Sequence, residues 1–260
     1  MCTLVILRRP CADWPLLLAA NRDEMCYRPS EPPGRHWSDR PQVVAGLDRT
    51  GGGSWLGMND QGLVAAIMNR KHSLGPAPGK RSRGELVLEA LDHVGAKEAA
   101  WALADLHPNV YRPFNLVVAD AKDAYWLRHG GDGEIRAHSI PPGLHMLSAT
   151  ELDDTCYPRI RHYLERFRTA AMPEPQQGYW QEWKDLLASR AYPAEADPTA
   201  AMNLELPNGF GTVSSALVGV PSYCGSALRP HWLHAEGPPD QVPFEPVDHA
   251  SGLPPRIFLG

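Results

Sequence analysis

Apolar positions near the start of the chain fall in short runs. Thr3 to Leu7 is rich in β-branched residues, Pro10, Asp13 and Pro15 supply a turn, and a second run follows at Leu16 to Ala20. That spacing predicts a hairpin. Ser54 to Met58 and Leu63 to Met68 flank Asn59-Asp60-Gln61-Gly62, a connection of turn formers that predicts a second hairpin. The period then lengthens: Ser82 stands at an N-cap position with Glu85 three residues on, and Leu86, Leu88, Leu91 and Val94 continue at helical spacing. Alanine-rich Ala96 to Leu106 predicts a second helix. Strand-like runs recur at Phe114 to Ala119, Ala124 to Leu127, Ile135 to Ile140 and Leu144 to Leu147. Helical patterns follow at Tyr157 to Thr169 and Trp180 to Ala188, then a strand pattern at Thr212 to Val220. There is no internal repeat. The order predicts an α+β fold of mainly antiparallel sheet, one domain over residues 1–260, with a proline-rich irregular tail from about residue 228.

Composition narrows the function classes. Of 260 residues, 43% are hydrophobic, enough for a substantial core, and the 26 prolines add loops to it. The formal net charge of −5 supplies no overall positive field for a polyanion, so nucleic acid is not expected as a partner. No apolar run approaches the roughly 20 residues a membrane span needs. The first twenty residues lack the continuous apolar stretch of a secretory signal, so a cytoplasmic location is expected. Five cysteines (Cys2, Cys11, Cys26, Cys156 and Cys224) are odd in number and show no CxxC spacing, which predicts reduced thiols. Gly51-Gly52-Gly53 precedes a strand, so a glycine turn is a better reading than a phosphate cradle.

Candidate chemistry begins at Cys2. Methionine before a small residue is commonly removed, and its removal would place a thiol and a free α-amino group on one residue. An amine with a pKa of about 7.7–8.0 can act as base to an adjacent nucleophile, with no separate histidine. Position alone favours the blander reading, a cysteine that happens to open an apolar strand. Asn21-Arg22-Asp23-Glu24 ends the second apolar run. If the strand continues through it, Asn21 and Asp23 share one face and Arg22 and Glu24 the other. A solvated turn is the competing reading. The eleven histidines form no HExxH, His231 and His234 in their proline-rich setting read as surface, and no metal site is expected. Lys80, Arg81 and Arg83, with Arg70 and Lys71, read as solvated surface or as a lure for an anionic ligand.

Met1-Cys2-Thr3, the run Ala19 to Glu24, Gly51 to Gly57, Arg81 to Leu86 and Phe114-Asn115-Leu116 with Ala119-Asp120 together resemble the NRDE family, also called the transport-and-Golgi-organisation-2 family. The similarity runs in order from residue 1 to about residue 220. That family in turn resembles cysteine-type N-terminal-nucleophile (Ntn) hydrolases such as choloylglycine hydrolases and penicillin V acylases. The resemblance implies a four-layer αββα sandwich. It also implies catalytic roles for Cys2 as nucleophile, Asp23 as contact of its amine and Asn69 as oxyanion donor, with Asn21, Arg22 and Glu24 binding around the same pocket mouth. Three positions depart from the hydrolase pattern. Their arginine three residues before the aspartate is Ala20 here, with Arg22 displaced to opposite strand parity; a second oxyanion asparagine falls near Ser148-Ala149; a late arginine falls at Val213.

Two functions follow from the resemblance. One is a Cys2-centred amidohydrolase or acyl hydrolase acting on a non-peptide C–N or acyl bond of a small metabolite, without a cofactor. The other is a non-catalytic carrier of an amphipathic metabolite in intracellular haem or acyl-CoA and lipid trafficking, in which haem would be a ligand.

Overall fold

The computed structural model describes residues 2–222 and 228–248. The opening hairpin forms as β1 (Thr3–Arg8) and β2 (Leu16–Met25), followed by β3 (Ser30–Gly34) and β4 (Val43–Asp48). The second hairpin is β5 (Leu56–Asn59) and β6 (Val64–Asn69). Helices α1 (Glu85–Leu91) and α2 (Ala96–Ala104) come next, then β7 (Phe114–Ala119), β8 (Ala124–His129), β9 (Ile135–Ser139) and β10 (Gly143–Leu147). Helices α3 (Pro158–Thr169) and α4 (Gln181–Ala188) precede β11 (Phe210–Val220), β12 (His231–Ala235) and β13 (Glu245–Pro246).

These strands form two antiparallel sheets, ordered β10-β1-β2-β11-β12-β13 and β3-β4-β5-β6-β7-β8-β9. Side-chain alternation explains how they stack. Leu4, Ile6, Leu16 and Leu18 of the first sheet meet Leu56, Met58, Val64, Ala66 and Met68 of the second in one buried cluster. The intervening residues turn outward: Val5, Leu17 and Ala19 pack under Ile160, Leu164, Phe167, Trp183 and Leu187 of α3 and α4. Ala65 and Ile67 pack under Leu86, Leu91, Ala99 and Leu103 of α1 and α2. A strand buried on both faces reads as an unbroken apolar run, which is what β1 and β6 show. The layers are therefore helix, sheet, sheet, helix.

Four local expectations change. Ser82 is not the N-cap: α1 starts at Glu85 after Gly84, without a side-chain cap, and Glu85 pairs with Arg81. Val94 lies beyond the end of α1 and is exposed. Strands β3 and β4 arise where the sequence pattern predicted no element, because prolines break the apolar signal of β3 and β4 is a short run with glycine inside it. The expected tail from residue 228 contributes β12 and β13; Trp232 and Leu233 point to opposite cores, and the prolines mark only the links between strands. Cys224, His249 and Pro254-Pro255 lie outside the described residues.

The turn Gly51-Gly52-Gly53 packs against the entrance to α1. A Cβ on Gly53 would lie 2.3 Å from the carbonyl carbon of Gly84, a backbone atom with no freedom to yield. Gly53→Ala is therefore expected to lower stability by about 1–3 kcal/mol through overpacking, measured as a reduced urea midpoint at unchanged slope. Wild-type stability in this variant would show that the two backbones do not touch.

Candidate active site

Alternation along β1 and β2 sorts the polar residues at their open ends onto two faces. Thr3 faces Asn21 in the antiparallel ladder, so the next step sets Cys2 opposite Arg22. Cys2 packs against the inter-sheet cluster, and Arg22 lines the same cavity. Asn21 and Asp23 project the other way, toward α3 and α4. Asn21 and Asp23 thus part from Arg22 as expected, while the Asp23 charge still acts on the Cys2 thiol.

On the helix side, Arg159 of α3 is wholly buried and donates from Nη1 to Asp23 Oδ2 at 2.7 Å and to Thr3 Oγ1 at 2.6 Å. Thr212 Oγ1 donates to Asp23 Oδ1 at 2.8 Å. Burial opposes the charge on Arg159, but Asp23 outweighs it and the guanidinium is held charged. Asn21 donates to the carbonyls of Leu187 and Met202 at 3.0 Å each and accepts from Ser215 Oγ at 2.7 Å. Its amide thus fastens β2 to the α4 layer.

On the cavity side, the lining includes Cys2, Leu4, Ala20, Arg22, Trp55, Leu56, Ala66, Met68 and Ser214. The enclosed space is about 330 Å³, including the part open to solvent. The Arg22 guanidinium lies 4.0 Å over the Trp55 ring and donates to Ser30 Oγ at 2.9 Å. Trp55 can lie flat on β4 because Gly46 has no side chain: a Cβ there would be 2.3 Å from the indole. The Asp23 backbone lies close enough to the Cys2 thiol for its N–H to favour the thiolate. Burial, and then the Asp23 charge, push the Cys2 thiol up from its ordinary pKa, while that N–H and Arg22 pull the other way. Ser148 Oγ donates to the Cys2 carbonyl at 3.0 Å and anchors the start of β1.

The parity expected of Arg22 is corrected. Two steps along a strand restore the same face, so Arg22 and Ala20 line one cavity wall and the guanidinium stays beside Cys2. Asn69 ends β6 outside the cavity lining, on the parity of Ile67, which faces α1 and α2. Glu24 also lies outside it; its carboxylate accepts from the Met25 N–H and meets Arg28 at 3.7 Å. Ala149 is buried with its carbonyl taken by the Lys71 N–H at 2.9 Å. Val213 is the extra residue of a bulge in β11, which lets Thr212 address Asp23 on one face while Ser214 lines the cavity on the other.

Sequence reasoning missed three participants. Arg159 sits in a helical pattern as one of several arginines, and only packing shows that it is the buried one. Asn115 of β7 donates to the carbonyls of Ser148 and Thr150 at 2.8 and 2.7 Å and accepts from Arg70 and Trp126, tying the second sheet to the loop behind Cys2. Phe114-Asn115-Leu116 was a visible signal, since a lone polar residue inside an apolar strand requires partners. His234, expected at the surface, is 7% exposed on β12, and no hydrogen-bond partner for its Nδ1 is found among the described residues. Burial, then the nearby Arg22 charge, lower its pKa to about 4. The described residues contain no cluster of three or more metal-ligating side chains and no helix long and apolar enough to cross a membrane.

Stacked antiparallel sheets between helix pairs, with Cys2 at the open end of the first strand, define the fold of Ntn hydrolases. Solved structures agree: an N-acylethanolamine-hydrolyzing acid amidase ortholog from Caenorhabditis elegans superposes with a TM-score of 0.54 at 12% identity, covering 86% of this chain and 95% of that one. A variant of the conjugated bile acid hydrolase from Clostridium perfringens gives 0.50 at 12% identity, covering 94% and 96%. The model of the family described as Transport and Golgi organisation 2 matches residues 1–220, and the chain belongs to that family. Among its relatives, the Transport and Golgi organization protein 2 homolog of Homo sapiens is 34% identical over 146 residues, covering 53% of this chain and 51% of the relative. The Mus musculus homolog is 32% identical over 144 residues, with the same coverage. The match thus spans about half the length of each.

Two predictions test this arrangement. Arg159→Met leaves the Asp23 carboxylate buried without its cation and is expected to cost about 3–5 kcal/mol in urea unfolding, part of it recovered when Asp23→Leu is added. Equal losses in the single and double variants would show that the pair is not coupled. His234 is neutral in the fold, whereas the unfolded chain takes up a proton below its usual pKa of about 6.5. Stability contributed by this site is therefore complete above that pH and falls as pH drops toward 4, by about 3 kcal/mol in all. His234→Phe should flatten this part of the stability–pH curve; an unchanged slope would remove His234 as its source.

Proposed function

We propose that the chain is a cysteine amidohydrolase or acyl hydrolase whose nucleophile is Cys2 and whose substrate is a small amide or acyl compound. The observation that carries this reading is the placement of Cys2: half-buried at the cavity wall, beside the Asp23 backbone and with Arg22 opposite. Once Met1 is removed, the Cys2 α-amine takes the thiol proton as the sulfur attacks the carbonyl carbon. The S–C bond forms, the proton passes to the leaving amine or alcohol, and water then hydrolyses the thioester. Asp23, fixed by Arg159 and Thr212, holds negative charge beneath the residue that carries the amine.

One observation favours the carrier reading instead: neither Asn21 nor Asn69 offers the cavity a free side-chain amide. Asn21 is committed to the α4 layer and Asn69 lies outside the lining. Amide donors aimed at a developing oxyanion contribute about 2.7–4 kcal/mol to acyl transfer. A cavity without them supports non-covalent holding of haem or an acyl-CoA-like lipid in intracellular trafficking.

Intact mass and acylation separate the two. The hydrolase reading expects protein lacking Met1, a single acyl adduct on Cys2 after treatment with an activated ester, a burst of product, and no adduct in Cys2→Ser. Retained Met1, or Met1-free protein that forms no adduct, would return the carrier, to be checked by saturable titration with haem and with acyl-CoA.

A further inference from the structure

Among the described residues most arginines have a carboxylate partner; Arg22, at the cavity wall, has none, nor has Arg83. Arg28 holds Asp48 at 2.7 Å and Glu24 at 3.7 Å, and Arg70 and Arg128 share Glu151. Arg22, by contrast, is 6% exposed, and its recorded contacts are the Ser30 hydroxyl and the face of Trp55. The acids nearest it in charge, Asp48 and Glu24, are those already engaged by Arg28. Arg83, outside the cavity lining, donates to the carbonyls of Ser73 and Pro113 at 2.8 and 2.9 Å and to the Ser73 hydroxyl at 3.0 Å. Burial and the nearby Arg112 lower its pKa to about 10. Cys2 lies within the field of both guanidiniums.

A buried cation without a counter-ion is costly, and the cost is relieved when an anion completes the site. A guanidinium presents a planar fork of donors matched to a carboxylate. Trp55, Leu56, Ala66 and Met68 give the wall an apolar stretch, beside the smaller polar surface of Ser214. We propose that Arg22 anchors a carboxylate of the ligand beside Cys2, so that the cavity takes short carboxylate-bearing acyl or amide compounds whose carbon skeleton lies along those four residues. The proposal rests on the reading of Cys2 as the centre of the site and adds the class of compound it meets.

The test compares two alkylating agents on the full-length protein. Iodoacetate and iodoacetamide react alike: the thiolate sulfur bonds to the methylene carbon and iodide leaves. They differ only in carboxylate against amide. Rates at Cys2 are read by peptide mass spectrometry, with exposed Cys11, Cys26 and Cys156 as references in the same chain. The iodoacetate-to-iodoacetamide ratio at Cys2 should exceed the reference ratio by about tenfold, the effect of one hydrogen bond to a charged group. Arg22→Gln should bring the ratio to the reference value, whatever the loss of its charge does to the iodoacetamide rate itself, and Arg22→Lys should restore part of the preference. Butyrate should slow iodoacetamide at Cys2, and equimolar inorganic phosphate should not.

Equal ratios at Cys2 and the references would overturn the proposal. So would a Cys2 that neither reagent reaches, since the cavity is then closed to a carboxylate. Slowing of both reagents alike in Arg22→Gln would assign Arg22 to the thiolate, and protection by phosphate alone would overturn the ligand class. Because no readout needs turnover, failure of acyl transfer and failure of the Arg22 anchor are separate results.

Discussion

The buried ion pair between Arg159 and Asp23 is the constraint on which the open end of this sandwich depends. Both side chains are removed from water, so neither is tolerable alone. Their contact forces α3 to pack over the ends of β1 and β2, and it draws in Thr3 from one strand and Thr212 from another. Cys2 adjoins that clamp through its neighbour Thr3, which accepts from Arg159. Helix packing on the far side of the sheet thus reaches the start of β1, while the Cys2 side chain itself packs against the cluster between the sheets.

Strand alternation gives the polar quartet at residues 21–24 two unlike tasks. Asn21 and Asp23 knit β2 to the helices, satisfying carbonyls of α4 and the following loop and holding the buried arginine. Arg22, between them, faces the other sheet over Trp55. One segment thus carries both the scaffold of the site and the charge inside it. The bulge at Val213 repeats the device on β11, where a single extra residue sends Thr212 to one face and Ser214 to the other. Polar groups at the end of a fully buried sheet can all be satisfied only by such a division, because each face offers too few partners for them together.

Much of the architecture was legible from periodicity. β1, β2, β5 to β8, β10, α2 to α4 and β11 follow runs whose period and turn residues are unambiguous, and runs buried on both faces announce a layered fold. The resemblance carried by Met1-Cys2-Thr3, Ala19 to Glu24 and Gly51 to Gly57 drew attention to Cys2 and Asp23 as candidates, and the fold brings their segments side by side. What escaped was set by position in the sheet. β3 and β12 are short and bounded by proline, so their strand character comes from the ladders they join. His234 became a core residue only because β12 adds to β11.

Chemical inventory and local periodicity, then, were decided by the order of residues: a thiol at position 2, a carboxylate at position 23, and strand and helix lengths that demand two buried faces per sheet. Which faces those groups occupy was decided by tertiary structure. Asn69 was placed by analogy at the oxyanion, yet the parity of β6 turns it toward the helices, while Arg22 keeps the cavity that a one-step reading had denied it. Arg159 is separated from Asp23 by 136 positions in the chain, and no local pattern could join them. Local sequence sets the alternation of side chains, but only the stacking of the two sheets assigns one face to ligand chemistry and the other to structural support.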